Sequence, residues 1–476
     1  MARRNERENV AHLLRRFGLG ASEAEIDYYG AQGLSGAIDK LLAYDQIEEG
    51  FDLRLEELAN ERGNIQMRLL QTWWLTRMVM TRRPLQEKLV LFWHDHFATS
   101  AAKVDVVASM HEQNQTLRKH SIGRFQDLLL AVSKDPAMVY WLDNNTNVKG
   151  KANENFAREL LELFTLGIGH YTERDVRELA RCFTGWSFGV GPRRSPRPKP
   201  GRLAQFVFRP QDYDDGVKTF LGNSGHFNGE DAIAILCDHP RTALFIAEKM
   251  WAWFAYPDPE PHVIDRIVER FRSSGLDVKT LVRAIMESPE FYSDRAFRRV
   301  VKNPIDFTIA TMRQLGLGAR LRESLAAADR KTRALLPMFV AQRAAKAMGM
   351  DVFYPPDVAG WETGPNWIST ATMVERVKWA DALFGPPTTA TARTPNRSAP
   401  SLRLPAAGLL AGKSPAEATH ALVSIFDAGL GAEKLAQLVQ VASKVTGGGP
   451  VSAVTANRVA REVCQLTFAA PEFQFC

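Results

Sequence analysis

The sequence predicts an all-α, mainly helical array of helices with one short β-hairpin near residues 205–221. Three observations carry this. Apolar residues recur at helical spacing along most of the chain, and capping residues, Gly and Pro punctuate the periodic segments. Only two stretches, 205–208 and 217–221, read as strands, and they flank a turn.

The elements follow in order. Val10, Leu13, Leu14 and Phe17 mark one face of a first helix over 6–17, stopped by Gly18 and Gly20. Ser22, with Glu25 three residues on, forms a capping box for the second. Further helices are expected over 34–42 and 66–81. Pro84 suits the first turn of a helix running from Leu85 to about Thr99. Helices follow at 104–120, 124–133, 153–166 and 173–184. Residues 187–201, rich in Pro, Gly and Arg, are a loop. Helical pattern resumes at 229–237, 240–255, 261–274, 277–287, 303–315, 334–348 and 370–384. The tail holds three short helices, interrupted at Gly447 to Pro450. This divides the chain into a large helical region (1–384), a Pro/Thr/Ala-rich linker (385–414) and a small C-terminal helical region (415–476) that packs on the first.

Composition narrows the class. The 476 residues are 45% hydrophobic and 24% charged, which excludes a wholly disordered chain or a collagen-like fibre. Lys+Arg 60 against Asp+Glu 54 leaves +6, too mild for a dense nucleic-acid stripe, so no nucleic-acid partner is expected. Basic residues gather at Arg3, Arg4, Arg7, Arg15 and Arg16 and between Arg193 and Arg202; both read as solvated segments. Cys182, Cys237, Cys464 and Cys476 form no C-x-x-C pair and read as reduced thiols. The charged N-terminus has no apolar signal region, and no apolar run approaches the ~20 residues of a membrane span. The chain as written is therefore expected to be cytoplasmic, with no membrane partner. P-loop, dinucleotide, G-x-S-x-G and H-E-x-x-H motifs are absent.

Four segments carry candidate chemistry. The helix from Leu85 is apolar round most of its circumference, yet holds His94, Asp95 and His96 in succession. Buried polar groups need partners, in protein, water or metal. The two histidines point about 200° apart and cannot share an ion, so each would need ligands from elsewhere. They are either a functional site or satisfied core histidines holding neighbouring helices. In the second segment, 153–171, Glu159 and Glu162 are neighbours on one helix face, and Glu159 borders the apolar arc. Such a pair suits general acid–base chemistry, although Arg158 can pair with Glu154 or Glu162 instead. His170 and Tyr171 follow in a tight loop before a helix capped by Thr172 and Asp175. The third, 212–222, surrounds a turn at Gly216 with carboxylates and reads as a cation site or an Asx-turn. The fourth, 355–367, places Trp361 and Trp367 on a rigid loop, either a sugar-stacking platform or, the favoured reading, a plug on the helical core.

These segments together resemble one bacterial family, that of domain of unknown function 1800. The resemblance is carried by HLLRRFGLG at 12–20, LFWHDHFATS at 91–100, DNNTNVKGKANENFARELLELFTLGIGHYTERDV at 143–176, FTGW at 183–186, DDGVKTFLG at 214–222 and PPDVAGWETGPNWIS at 355–369. It spans nearly the whole chain and implies kinship more than a reaction. The family's recurrent polar positions map onto His94, His96, Asn144, Asn153, Glu154, Asn155, Arg158, Glu159, Glu162, Thr172, Asp175 and Asp215. This chain departs from the pattern in having Asp95 where relatives often have Asn, and Tyr213 where similar relatives often have His. Many relatives look exported.

The expectation is a helical hydrolase or lyase acting on a polymeric substrate, with a glycan as the candidate class. Glu159 would be general acid or base, Glu162 or Asp95 its carboxylate partner, and His94 a proton shuttle or metal ligand. Asn155, Arg158, His170, Trp361 and Trp367 would bind substrate. A divalent metal, if one binds, would draw on His94, His96 and Asp215. The alternative is a non-catalytic scaffold or interaction protein whose polar motifs form a buried network. A di-iron bundle is disfavoured because it needs an E-x-x-H motif on each of two helices, and only Glu417 and His420 have that spacing.

Overall fold

Local capping sets the helix starts. Asn5 and Glu8 close a capping box before helix Glu6–Phe17, Ser22 and Glu25 do so before Glu23–Gly30, and Thr172 and Asp175 before Glu173–Cys182. The computed structural model describes residues 4–20, 22–189, 204–385 and 402–476. Among these the protein is mainly α-helical, with two small antiparallel sheets. The Arg193–Arg202 cluster, Arg3, most of the expected 187–201 loop and the 386–401 part of the expected linker lie outside the described residues.

The two expected strand segments form, but each pairs elsewhere. Strand β1 (Trp186–Gly189) pairs with β2 (Gln205–Phe208), and β3 (Lys218–Phe220) with β4 (Asn223–Gly225). Residues 209–217 are too long for a tight hairpin loop. They are instead tied back by Arg181 to Asp214 (2.8 Å) and by the Asp214 N–H to the Thr184 hydroxyl (2.8 Å). Leu221 and Gly222 both have positive φ (47° and 76°), which makes the β3–β4 turn the tight two-residue kind. The Asp175 carboxylate accepts the Leu221 N–H at 2.8 Å.

Helix Pro84–His96 lies at the centre. It packs against helices Glu6–Phe17, Gly33–Leu42 and Val107–Lys119, and nearly every residue along it is buried. Helix Ala456–Ala469 packs along Thr370–Phe384, and Phe475 bridges to Val301, so one apolar core extends from Val10 to Phe473. The four cysteines are free and buried. No described helix is long and apolar enough to cross a membrane.

The expectation of a solvated N-terminal basic segment fails for Arg15 and Arg16, which are 6% and 3% exposed. Arg15 pairs with Asp427. Arg16 donates to the carbonyls of Phe254 (2.8 Å) and Trp253 (2.6 Å) and to Cys476 Sγ (2.6 Å). These acceptors come from distant parts of the chain; tertiary contacts satisfy all three Arg16 nitrogens, whereas Arg15 is held through Nη1 alone. Arg7 stays at the surface and pairs with Glu23 and Asp27.

Candidate functional site

The central helix ends in three polar residues that meet three different environments. His94 is enclosed by the rings of Trp74, Phe353 and Trp361 at centroid distances of 5.3, 5.3 and 5.4 Å. Its Nε2 accepts the Phe353 N–H at 3.0 Å, which leaves the proton of the neutral ring on Nδ1. Burial pulls its pKa down to about 3. His94 thereby fastens Phe353, whose φ of +68° is costly for a bulky residue.

Asp95 accepts the Trp361 N–H at 2.8 Å on Oδ1. Burial pushes its carboxyl up to about 6, against the opposing effects of that hydrogen bond and of Lys249. The close approach of the 355–362 loop depends on Gly360, with φ +90°; a Cβ there would lie 2.5 Å from Asp95 Oδ1. Gly360→Ala is therefore expected to displace the Trp361 N–H and destabilise the fold by ~1–3 kcal/mol. A melting temperature equal to that of the wild type would contradict this account of the loop.

His96 points the other way, among Phe97 (4.5 Å), Phe164 (5.9 Å) and Phe245 (6.4 Å). Burial and the nearby Lys249 charge hold it neutral, although the Phe164 carbonyl favours the cation. Neither ring nitrogen has a partner at hydrogen-bonding geometry. A buried imidazole whose nearest acceptor, the Phe164 carbonyl, is poorly aligned is a costly arrangement, and a space lies beside it.

That space is a cavity of about 550 Å³ reached by Asp95, His96 and Lys249 and walled by Phe92, Trp253 and Trp367, with Arg16 and Asn303 at its edge. Lys249 comes from helix Pro240–Phe254. Burial lowers the pKa of its amine, opposed by the Asp95 carboxylate. Mostly apolar walls with a few convergent ionisable groups are the usual build of a small-molecule site. A wider groove of about 1360 Å³ between segments 57–69 and 329–339 is lined mainly by surface side chains and receives none of the motif residues.

The second motif lies outside this cavity. Helix Asn155–Glu159 continues as a π-helical turn, Leu160–Thr165, which delivers Phe164 to His96. Such widened turns are frequent at functional sites. Glu159 is half-buried; burial raises its carboxyl, and the charges of Glu162 and Asp357 add to the effect. Glu162 accepts the Tyr171 hydroxyl at 2.6 Å. Arg158 grips Glu173 with both Nη atoms (2.7 and 2.8 Å) and reaches Glu154 at 3.2 Å. Asn155 and His170 are exposed.

Other motif residues serve the scaffold. Asn147 Nδ2 donates to Asn144 Oδ1 (3.0 Å) and to the Ala180 carbonyl (2.8 Å), and its Oδ1 accepts the Asn153 N–H (2.9 Å). Asp215 pairs at the surface with Lys149. The three residues expected around a divalent ion, His94, His96 and Asp215, are not brought together. Among the described residues no group of three or more His, Cys, Asp or Glu side chains is placed to hold a metal.

Trp361 and Trp367 are both 6% exposed, so the loop forms no open stacking platform. Trp361 covers His94, while Trp367 offers its ring to the cavity. Sequence reasoning missed Lys249. The available signal was a lysine on the Phe245, Lys249, Trp253 stripe at i, i+4 spacing, where an apolar side chain would be expected.

Fold and cavity together define a mainly helical protein with a partly open, apolar-walled pocket that gathers a carboxyl, an imidazole and an amine. The chain belongs to the family described as a protein of unknown function (DUF1800), whose model matches residues 12–475. No curated protein and no solved structure matches it.

Proposed function

We propose that this protein is a hydrolase or lyase whose reaction takes place in the cavity between helices Pro84–His96 and Pro240–Phe254. The observation that carries this reading is the convergence of Asp95, His96 and Lys249 on one walled space of about 550 Å³, with neither His96 nitrogen at full hydrogen-bonding geometry to a protein partner. Asp95, raised to about 6, is suited to exchange a proton near neutral pH. His96 is held neutral and can donate or accept one hydrogen bond to a bound molecule. The walled, partly open shape suits a small molecule or the end of a polymer chain better than a strand laid across a flat surface. The carboxylate pair Glu159 and Glu162 borders the same loop through Asp357 and is placed outside the walls, where it can meet the rest of a longer substrate.

A scaffold role is favoured for a different set of residues. His94 and the Asn144, Asn147, Asn153 network are saturated by their own chain, as a packing function requires.

The test is untargeted. Purified protein is incubated at neutral pH with a small-molecule extract supplemented with oligosaccharide fragments, and masses are followed over time. The wild type is expected to deplete a definite set of masses that Asp95→Asn leaves unchanged. Identical profiles for the two proteins would sink the catalytic reading.

A further inference from the structure

We propose that Lys249 is a covalent nucleophile that takes an aldehyde or ketone substrate as an imine, with Asp95 carrying the protons. This rests on reading the cavity as an acid–base site.

Lysines in this protein are generally accounted for when buried. Lys88 pairs with Asp306, and Lys218 donates to the Asp214 carbonyl and the Tyr213 hydroxyl. Lys249 is half-buried and has neither a hydrogen bond nor an ion pair among the described residues. Its Nζ sits 5.4 Å from the centre of the Phe245 ring and reaches the cavity. An unpaired amine against aromatic walls is the setting in which a lysine loses its proton and becomes nucleophilic. Lys302 provides the contrast. It is buried, with its pKa lowered to about 7, and its Nζ lies 3.6 Å over the Phe473 ring beside a void of only about 20 Å³. There is no room there for a carbonyl compound.

Asp95 lines the same cavity and acts electrostatically on Lys249 without forming an ion pair with it, which leaves space between the two groups for a reacting carbon. The step balances without an oxidant or reductant. The Nζ lone pair forms a bond to the carbonyl carbon as the C=O π electrons move to oxygen. Each of the two N–H protons of the amine then passes by way of Asp95 to that oxygen, which departs as water as the C=N bond forms. An amine and a carbonyl compound become an imine and one water. Protonated, such an imine draws electrons from the neighbouring carbon, which is what a lyase needs for cleavage or elimination.

The full chain is incubated at neutral pH with pyruvate, glycolaldehyde or benzaldehyde at limiting concentration, reduced with borohydride, and analysed by intact mass and peptide mapping. One probe equivalent is expected on Lys249, at an occupancy well above that of any surface lysine. Lys249→Arg, which keeps the cation but cannot form the imine, should lose that label while retaining the wild-type melting temperature. Asp95→Asn should slow labelling of Lys249 by ~100-fold and leave surface lysines unaffected. Labelling of Lys249 no greater than surface lysines with all three probes overturns the proposal, as does preferential labelling of Lys302. Labelling of Lys249 at an unchanged rate in Asp95→Asn overturns the role given to Asp95. The two readings separate cleanly. Extract turnover that depends on Asp95, with Lys249 unlabelled, removes the imine and leaves the acid–base site standing.

Discussion

Glu87→Gln is expected to lower the stability of the protein by ~3–5 kcal/mol, the cost of breaking a buried ion pair from one side. Glu87 is fully buried. Its Oε1 accepts from Arg77 Nε and Arg118 Nε, each at 2.7 Å, and its Oε2 accepts from Arg118 Nη2 and Trp74 Nε1, each at 2.9 Å. Burial alone would raise this carboxyl, but the two guanidiniums outweigh it and hold the pKa at about 2. A glutamine removes the negative charge and turns an amide N–H toward donors, leaving Arg118, itself 5% exposed, uncompensated. The effect carries a pH signature. The folded pKa is depressed below the ordinary 4.5, so the contribution is present above 4.5 and is lost as pH falls toward about 2. Urea denaturation at pH 7 and at acid pH checks both parts. A midpoint equal to the wild type at pH 7, or a difference that fails to shrink in acid, contradicts this account. Trp74 donates to Glu87 and also packs edge-on against His94, so the same substitution is expected to loosen the Phe353 loop.

Asp95→Asn is expected to cost ~10²–10⁴-fold in kcat/KM on whichever substrate the extract experiment identifies, the usual worth of a positioned acid–base group. Wild-type activity should rise with pH through about 6 as the carboxylate forms, and the variant should lose that step. Other ionisable groups at the cavity are His96, Lys249, Arg16, Arg299 and Asp306; Asp306 is already paired with Lys88, and the two histidines flanking Asp95 are held neutral by burial, so the acid limb is assigned to Asp95. Stability moves in the opposite sense to Glu87. A carboxyl raised from 3.8 to about 6 favours the folded state most below 3.8, and that contribution is lost as pH rises through about 6. The Asn variant carries no such charge penalty and can still accept the Trp361 N–H. It should therefore melt no lower than the wild type at pH 7.5. Lost activity with an unchanged melting temperature marks Asp95 as chemical, whereas a lowered melting temperature would make it a loop fastener.

The sequence by itself determined the helical class and most helix boundaries. Caps such as Ser22 with Glu25 and Thr172 with Asp175 act over three residues, and the Leu85, Leu89, Phe92, Trp93 arc announced a buried helix bearing polar groups. It also yielded the family. Only the tertiary structure decided which of three consecutive residues faces the packing and which faces the cavity. It also decided that Trp361 is a plug while Trp367 is a wall, that Arg15 and Arg16 are buried, and that the two strand segments pair away from each other. Lys249 entered the site in the same way. A helix is specified by bonds between residues three and four apart, so its signal is local. A cavity joins residues 95, 249 and 367, which meet only after the apolar faces of their helices have been buried against one another.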